Sequence, residues 1–242
     1  MSRVAILGAT GTIGSTLARR LVRQGQAVLL VGRSEEKLAP LAQELAQPFV
    51  SVDLGASQPL LEALEAAAAD GGLHGLVNCI GSLLLKPAHA TTDDDFRRTV
   101  ETNLFTAFAT VRAGARVLRE RGGSIVLFAS AAAETGVANH EAIAAAKAGV
   151  IGLARSAAAT YAPNNIRVNV VSPGLVRTEL TRRIWDVPAS AAASTQMHAL
   201  GRLGEPEQVA SLVAWLLDPE NDWVTGQVIG IDGGLGHVLA RK

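Results

Sequence analysis

The sequence is poor in the residues that mark several classes of protein. Cys79 is the one cysteine among 242 residues, which excludes an internal disulfide framework and favours a reducing compartment. Basic and acidic residues balance at 22 each, and no block of like charge is longer than the three aspartates at 93–95. Because a phosphate backbone requires a concentrated positive surface, we do not expect nucleic acid as a partner.

Long hydrophobic runs are scarce as well. The first apolar run, in MSRVAIL, is too short for a signal peptide and passes directly into glycines. We find no stretch long and uncharged enough to cross a bilayer, so we predict no membrane partner and a cytoplasmic location. Histidines and carboxylates show no ligand spacing, and no metal site is predicted.

Short apolar runs alternate with helix-like segments along the whole chain. The runs read RVAIL, AVLLVG, FVSVDL, GLVNCIG, SIVLFAS, IRVNVVSPG and QVIGIDGG. They are continuously apolar, as expected for parallel strands that helices cover on both faces. The pattern predicts one α/β domain over residues 1–242, a doubly wound parallel sheet of seven strands (Rossmann fold) with ligands beyond the carboxyl ends of the strands. The less regular segment 179–203, which Pro188 interrupts, is predicted to be a lid.

Three glycines stand between the first strand and the first helix. The stretch VAILGATGTIGSTLARRL places Gly8, Gly11 and Gly14 in the context that a glycine fingerprint requires. Glycine permits a tight turn and a close approach to a pyrophosphate, and the helix amino terminus offers free N–H groups to its negative charge. The spacing therefore predicts a dinucleotide site, with ordinary turn glycines as the alternative.

The end of the second strand bears on the choice of cofactor. A site for NAD usually has a carboxylate here for the ribose hydroxyls, whereas a 2′-phosphate requires a cation. This strand ends in VGR, and Arg33 can pair with a phosphate through two parallel hydrogen bonds. Glu35 and Glu36 follow in the first turn of a helix that Ser34 can cap. NADP(H) is therefore predicted in preference to NAD(H), against the alternative of a solvated arginine.

These motifs, with others further along, resemble the short-chain dehydrogenase/reductase family over essentially the whole chain. NCIG at 78–81 resembles the strand end beneath the cofactor, SPGLVRT at 172–178 the motif on the nicotinamide side, and GRLGEPEQVA at 201–210 the closing region. The glycines of the family fall on Gly8, Thr12 and Gly14, so the middle one is missing and Gly11 is a neighbouring substitute. The resemblance implies a small-molecule substrate and a homotetramer or homodimer.

The resemblance also implies a set of cofactor contacts. Asp53 would meet the adenine amino group, with Leu54 beside the ring. The backbone of Val176 and the hydroxyl of Thr178 would lie near the nicotinamide carboxamide, and Lys147 would donate to the nicotinamide ribose. The cofactor-binding residues expected on this basis are Gly8, Thr10, Gly11, Thr12, Ile13, Gly14, Arg33, Ser34, Asp53, Leu54, Asn78, Ile80, Gly81, Lys147, Pro173, Gly174, Val176 and Thr178.

Catalysis in the family uses Asn, Ser, Tyr and Lys, of which three are present. Asn103 in ETNLF, Ser130 at the end of SIVLFAS and Lys147 in AAAKAGV match the first, second and fourth. Asparagine is a poor residue for a helix interior, so its presence there requires a reason. In the family it holds a water that leads to the lysine, while the serine bonds a substrate oxygen. The alternatives are a solvent-facing asparagine, a capped strand end and a solvated lysine.

The third position carries Ile143. Residues four apart lie one above the other on a helix, so Ile143 places hydrocarbon where a phenol would stand beside Lys147. A phenol whose pKa is lowered by a nearby ammonium can give up a proton as hydride reaches a carbonyl, and isoleucine cannot. Loss of such an acid lowers the rate by about 10² to 10⁴.

Other side chains are candidates to replace the phenol. His140 lies seven residues before Lys147 and would share its face if the helix already includes it. The enoyl reductases of the superfamily carry their tyrosine at this spacing, and imidazole transfers protons near neutral pH. ANHEA also reads as a loop and helix start that Asn139 caps, which makes His140 a plain rim residue. Glu141 points about 60° away from Ile143 and is a weaker candidate.

Two functions are compatible with these residues. His198 and Trp185 are interpreted as loop residues of the lid, and Tyr161 is excluded from catalysis as a packing residue. The first function is an NADP(H)-dependent oxidoreductase acting on an activated alkene, a protonated imine, or a carbonyl served by His140 or water. The second is a catalytically degenerate protein that holds NADP(H) as a sensor or partner subunit. Because three of the four catalytic positions are kept, we favour the oxidoreductase.

Overall fold

Seven parallel strands form one sheet in residues 2–238, which are the residues that the computed structural model describes; Met1 and residues 239–242 of the predicted domain lie outside them. The strands are β1 (Arg3–Leu7), β2 (Ala27–Gly32), β3 (Phe49–Ser51), β4 (Leu73–Asn78), β5 (Gly123–Phe128), β6 (Ile166–Pro173) and β7 (Val228–Ile231). Their order is β3-β2-β1-β4-β5-β6-β7, and each pairing is parallel. The prediction of a seven-stranded Rossmann fold is confirmed.

Nine α-helices connect these strands within residues 2–238. They are α1 (Thr12–Arg23), α2 (Glu35–Leu45), α3 (Ser57–Ala69), α4 (Asp93–Val100), α5 (Thr106–Val117), α6 (Glu141–Tyr161), α7 (Arg182–Trp185), α8 (Pro188–Met197) and α9 (Pro206–Leu217). Helices α1, α2 and α9 cover one face of the sheet, and α3, α5 and α6 cover the other. Strand side chains alternate, so Val4 and Ile6 pack into the first layer and Ala5 and Leu7 into the second.

The strand order reverses at β1. The chain runs outward from β1 to β3, then returns to place β4 on the other side of β1 and continues to β7. In open sheets of this kind, ligands bind beyond the carboxyl ends of the strands at the point of reversal. The loops that follow β1, β4, β5 and β6 therefore surround the expected site.

Helix α6 corrects one sequence-based expectation. With its short continuation it spans Glu141–Asn164, and it is long and apolar enough to cross a membrane, with a mean hydropathy of 1.3. The statement that no stretch meets this test was wrong, because alanine and isoleucine give this helix high hydropathy. Val150 and Ala154 are buried in the core. A core helix of a globular domain can have the same length and hydropathy as a membrane-spanning helix.

The segment 179–203, predicted to be a lid, is more regular than the sequence indicated. It contains a 3₁₀ turn at Glu179–Thr181, followed by α7 and α8. Pro188 begins α8 at a position where its missing N–H costs nothing, so it does not interrupt a helix as predicted. No residue of α8 is buried, so this helix lies on the periphery, and its function as a lid stays a prediction.

Candidate active site

The loop after β1 is shaped by glycines that no other residue could replace without movement. Gly8 has a φ of +76°, and a Cβ there would lie 3.1 Å from the backbone of Cys79. A Cβ on Gly14 would lie 2.4 Å from the Gly8 oxygen. Gly11 precedes α1 and caps it with no side chain, so the first N–H groups of the helix remain available to an anion. Thr10 is exposed on the same loop.

Arg33 lies exposed immediately after β2. Within residues 2–238 its guanidinium forms no salt bridge, while its backbone oxygen accepts a hydrogen bond from Ser51 Oγ at 3.2 Å. Ser34 occupies the cap position of α2 as predicted, although its hydroxyl makes no capping bond. The Arg33 guanidinium, without a salt bridge in the described residues, and the Ser34 hydroxyl, without a capping bond, are therefore neighbours at the end of this strand.

The residues after β3 and at the end of β4 are held by local hydrogen bonds. Asp53 is exposed, and its Oδ1 accepts from the Gly55 N–H at 2.9 Å, while Leu54 is buried. Asn78 is buried at the last position of β4, where its Oδ1 accepts from the Ile80 N–H at 2.9 Å. This bond fixes the turn that leads to Gly81.

Asn103 lies in a π-helical segment, Glu101–Phe105, between α4 and α5. It is 1% exposed. A wider helical turn leaves carbonyl groups without their usual N–H partners, and Asn103 Nδ2 donates to the Thr99 oxygen at 2.9 Å. The same nitrogen donates to Ser82 Oγ, and Oδ1 accepts from the Ser82 N–H. The amide thus has a structural reason for its place in the helix, and the alternative of a solvent-facing asparagine is wrong.

Lys147 extends from α6 into the same region. It is 7% exposed, and its Nζ donates to the Phe128 oxygen at 2.9 Å. Burial lowers the pKa of this ammonium to about 8, because the charged form is poorly solvated there. A Cβ on Gly81 would lie 3.3 Å from Asn103 Oδ1 and 3.8 Å from Lys147 Nζ, so glycine is what lets the two side chains converge. The alternative of a solvated lysine is wrong.

Ser130 and Ile143 occupy the two remaining catalytic positions that the family resemblance predicts. Ser130 follows β5, and its Oγ accepts from the Ala132 N–H at 3.3 Å, which leaves the hydroxyl proton free to donate. Ile143 is 3% exposed and lies one turn before Lys147 on α6. The place one turn before the lysine is therefore filled by buried hydrocarbon.

His140 does not belong to α6, which begins at Glu141. It occupies the cap position, and its Nδ1 lies 2.7 Å from the Ala138 oxygen. Asn139 was predicted to cap the helix, but it precedes the cap residue with a φ of +62°, a conformation that asparagine tolerates better than most residues. The condition under which His140 would stack above Lys147 is not met, and a catalytic role for His140 stays a prediction.

Residues 174–179, called the bridging segment below, cross the carboxyl edge of the sheet. Pro173 ends β6, which lies three strands from β1, yet the Glu179 N–H donates to Thr12 Oγ1 at 3.2 Å. Three strand spacings amount to about 14 Å, and six residues reach at most about 20 Å. The segment is therefore long enough to cross from the end of β6 to the start of α1, on the side of the sheet where β5 and β4 end.

The bridging segment is anchored along its length. Val176 is buried and pairs with Gly204 in an isolated bridge. Thr178 is mostly buried, and its hydroxyl and backbone N–H both bond Thr181 in a reciprocal cap. Trp185 Nε1 donates to the Thr178 oxygen at 2.9 Å. The bridging segment is thus held in place along its length. Thr12, which stands where the family has a glycine, accepts one of the hydrogen bonds that hold it.

Two residues of this region were missed or undervalued by sequence reasoning. Thr12 was expected only near the phosphate, and its bond to Glu179 joins positions 167 residues apart. His198 was interpreted as a loop residue, but it is 4% exposed and bonds the backbone of the bridging segment. No local pattern could have revealed either contact, because both depend on the return of the chain after β6.

Comparison with known proteins finds similar sequences over nearly the whole chain. The family described as Enoyl-(Acyl carrier protein) reductase matches residues 8–236. Carbonyl reductase family member 4 from Danio rerio is 33% identical, over 97% of this chain and 98% of that protein. The 3-oxoacyl-(acyl-carrier-protein) reductase FabG from Vibrio cholerae serotype O1 is 32% identical, over 95% of each.

Solved structures are also similar to this chain over nearly its whole length. A short-chain type dehydrogenase/reductase from Mycobacterium ulcerans is 32% identical and superposes with a TM-score of 0.92, over 97% of this chain and 90% of that one. ElxO with NADP bound is 26% identical, with a TM-score of 0.91 over 97% and 98% of the two chains. A tyrosine-to-phenylalanine variant of ElxO, with NADPH bound, superposes equally well.

Proposed function

The chain belongs to the short-chain dehydrogenase/reductase family, and from this premise we propose that it is an NADP(H)-dependent oxidoreductase that works without a tyrosine acid. Oxidoreductase activity is the function of its relatives, which include a carbonyl reductase and 3-oxoacyl reductases. The substrate that we propose is a small activated alkene, imine or carbonyl compound.

The residues of the chain fit a dinucleotide that carries a 2′-phosphate. Gly8 and Gly14 form a cradle that a Cβ would fill, and the N–H groups at the start of α1 border it. Arg33 stands exposed at the end of β2, and no carboxylate bonds it within residues 2–238. A phosphate there would gain charge-assisted hydrogen bonds from the guanidinium. The fold neighbour that holds NADP supports the same preference.

The buried polar groups supply binding and proton handling. When bound, NADPH would supply the hydride. Lys147 would donate to the nicotinamide ribose, and its lowered pKa lets it release a proton more readily than a surface lysine does. Asn103 holds the loop after β4 through both backbone and side chain of Ser82. The free proton of Ser130 Oγ can donate to a polar atom of the substrate.

The observation that carries the proposal is the position of Ile143. It is 3% exposed, one turn before a lysine that is 7% exposed, so hydrocarbon fills the position where a phenol would stand. An iminium ion already carries its positive charge, and hydride delivery alone completes its reduction. A carbonyl oxygen becomes negative as hydride arrives and requires a proton, for which His140 or water is the proposed source. Substrates that need no phenol are therefore favoured over simple ketones.

Binding and turnover experiments test this function directly. Titration of the protein with NADPH and NADH, followed by fluorescence, is expected to show tighter binding of NADPH. Absorbance at 340 nm then follows NADPH oxidation with panels of cyclic imines, enones and ketones, and we expect imines and enones to react faster than ketones. If NADPH binds and no compound oxidises it, the protein is a cofactor-binding sensor or partner subunit.

We also propose that the protein is a homodimer or homotetramer and acts in the cytoplasm. Phe96, Phe105 and Phe108 on α4 and its continuation are each more than a third exposed, and Trp223 in the turn before β7 is 94% exposed. Large apolar side chains left in water favour association with another surface. Light scattering after size-exclusion chromatography is expected to give a mass of two or four chains, and a monomeric mass would contradict it.

A further inference from the structure

His198 is the capping residue that follows α8, and it is buried, with 4% of its surface exposed. Its Nδ1 lies 2.7 Å from the Ser194 oxygen, and its Nε2 accepts from the Leu175 N–H at 3.0 Å. A carbonyl can only accept a hydrogen bond, and a backbone N–H can only donate one. These partners assign a neutral ring with its proton on Nδ1.

The ring also fills a space that Gly174 leaves. A Cβ on Gly174 would lie 2.6 Å from His198 Nε2, and a Cβ on Gly233 would lie 3.5 Å from the ring. Two residues after His198, the Leu200 N–H donates to the Gly233 oxygen. The imidazole is therefore fixed between the end of α8, the loop after β7 and the first residues of the bridging segment.

We propose that His198 is a positioning residue: it fixes the Leu175 amide and thereby the distance of the bridging segment from the nicotinamide half of the cofactor cleft, the half that contains Asn103, Lys147 and Ile143. This inference rests on the proposed cofactor. The other anchors of the segment are the Gly174 N–H, which donates to the Ile231 oxygen at 3.3 Å, the Gly204 pairing in its middle, the bonds of Thr178 to Thr181 and Trp185, and Thr12 at its far end. At the end nearest β6 the Leu175 N–H donates to His198, and that amide would lose its acceptor if the ring were removed.

The chemistry of the ring suggests a discriminating set of variants. The side-chain oxygen of glutamine reaches about as far as Nε2 of histidine, so His198→Gln can still accept from Leu175. Asparagine reaches only as far as Nδ1, so His198→Asn can bond Ser194 and leaves the Leu175 amide unpaired. His198→Leu removes both bonds and keeps an apolar side chain. Glutamine and asparagine are thus matched controls for polarity.

Two ligands separate the halves of the cofactor. NADPH spans the whole cleft, whereas 2′,5′-ADP carries the phosphorylated adenosine and no nicotinamide. We expect His198→Asn and His198→Leu to bind NADPH about tenfold more weakly, the scale set by an unsatisfied buried N–H. Their affinity for 2′,5′-ADP should not change, and His198→Gln should restore NADPH binding. Arg33→Ala is the positive control and should weaken both ligands.

Isothermal titration of both ligands, with thermal unfolding of each variant, decides the matter. If His198→Asn binds NADPH as tightly as the unchanged protein, the proposal is wrong. If the variants lose NADPH and 2′,5′-ADP to the same degree and unfold at lower temperature, His198 only stabilises the fold and the proposal is again wrong. If the unchanged protein binds neither ligand, the proposed cofactor is wrong, and this inference fails with it.

Discussion

The two halves of the cofactor cleft differ in whether backbone groups or side chains form them. The adenosine half, around the loop after β1, depends on backbone groups. It also depends on Gly8 and Gly14, where a side chain would collide with the neighbouring backbone. The nicotinamide half depends on the side chains of Asn103, Lys147 and Ile143. A backbone site keeps its N–H groups when a neighbouring residue changes, as at position 12. A side-chain site changes its chemistry with one substitution, and Ile143 is that substitution.

The largest expected effect comes from giving the nicotinamide half its missing acid. Ile143→Tyr places a phenol one turn before Lys147, and we expect ketone reduction to rise by about 10² to 10⁴. Ile143→Phe is the matched control, because it adds the ring and its bulk without the hydroxyl. NADPH oxidation with a ketone measures both. Equal rates in the tyrosine and phenylalanine variants would contradict the assigned geometry.

The second prediction concerns the buried charge of the same half. Burial lowers the Lys147 pKa from its ordinary 10.5 to about 8, a difference worth about 3 kcal/mol. Between these two pH values the unfolded chain binds more protons at this residue, so stability rises with pH there and is lower, by a constant amount, below pH 8.

Lys147→Met removes this proton linkage and serves as the reference for the unchanged protein. The free energy of unfolding in urea, measured without cofactor from pH 7 to 10.5, should increase more steeply for the unchanged protein than for the variant. Parallel curves for the two proteins would show that the ammonium is well solvated in the folded state.

The third prediction concerns Arg33, the side chain of the adenosine half that is proposed to bind the 2′-phosphate. Arg33→Ala should weaken NADPH binding about 10- to 100-fold, the range expected for lost hydrogen bonds to a charged group. Binding of NADH, which lacks the 2′-phosphate, should be unaffected. Fluorescence titration with both cofactors gives the ratio. An equal loss for both would mean that Arg33 does not read the phosphate.

A fourth prediction tests the crowded glycine of the same half. Gly14→Ala brings a methyl group to 2.4 Å from the Gly8 oxygen, which should cost about 1 to 3 kcal/mol of stability. Gly152→Ala is the control, since nothing lies within 4 Å of a Cβ on that exposed helical glycine. It should stabilise the protein by about 0.5 to 1 kcal/mol. Thermal unfolding compares the two, and shifts of the same sign would contradict the prediction.

The smallest expected effect lies where the halves are joined. Thr12→Val removes the hydroxyl that accepts from the Glu179 N–H, at a cost of about 1 kcal/mol. Hydrogen exchange at the Glu179 amide should become about fivefold faster, while Thr12→Ser should retain its protection. Unchanged exchange in the valine variant would show that the bond is absent in solution.

The adenosine half and the sheet could be predicted because their signals are local. Continuous apolar runs mark all seven strands, and the glycines stand between β1 and α1 where the fingerprint requires them. Arg33 was found at its strand end for the same reason. In each case the residues that determine the structure are neighbours in the chain.

The nicotinamide half could be predicted only in part. Asn103 and Lys147 were located by their patterns, but the sequence did not reveal that Gly81 lets them converge. His198 bonds a residue 23 positions away, across a turn whose path depends on packing. The start of α6 was predicted one residue too early, because a residue with positive φ and a capping residue have similar sequence preferences.

The π-helical turn at Glu101–Phe105 also sets the phase of the helix on either side of it. In an uninterrupted α-helix, Phe96 and Phe108 would lie about 120° apart around the axis. Absorbing one extra residue removes about 100° of that rotation and brings the two exposed rings almost into line. A one-residue deletion in this turn would leave the two phenylalanines 11 residues apart, about 20° around a regular α-helix, so they would stay in line. The same deletion would remove the wide turn in which Asn103 is held. The extra residue of the π turn therefore serves the interior amide, while the outer rings stay aligned with it or without it.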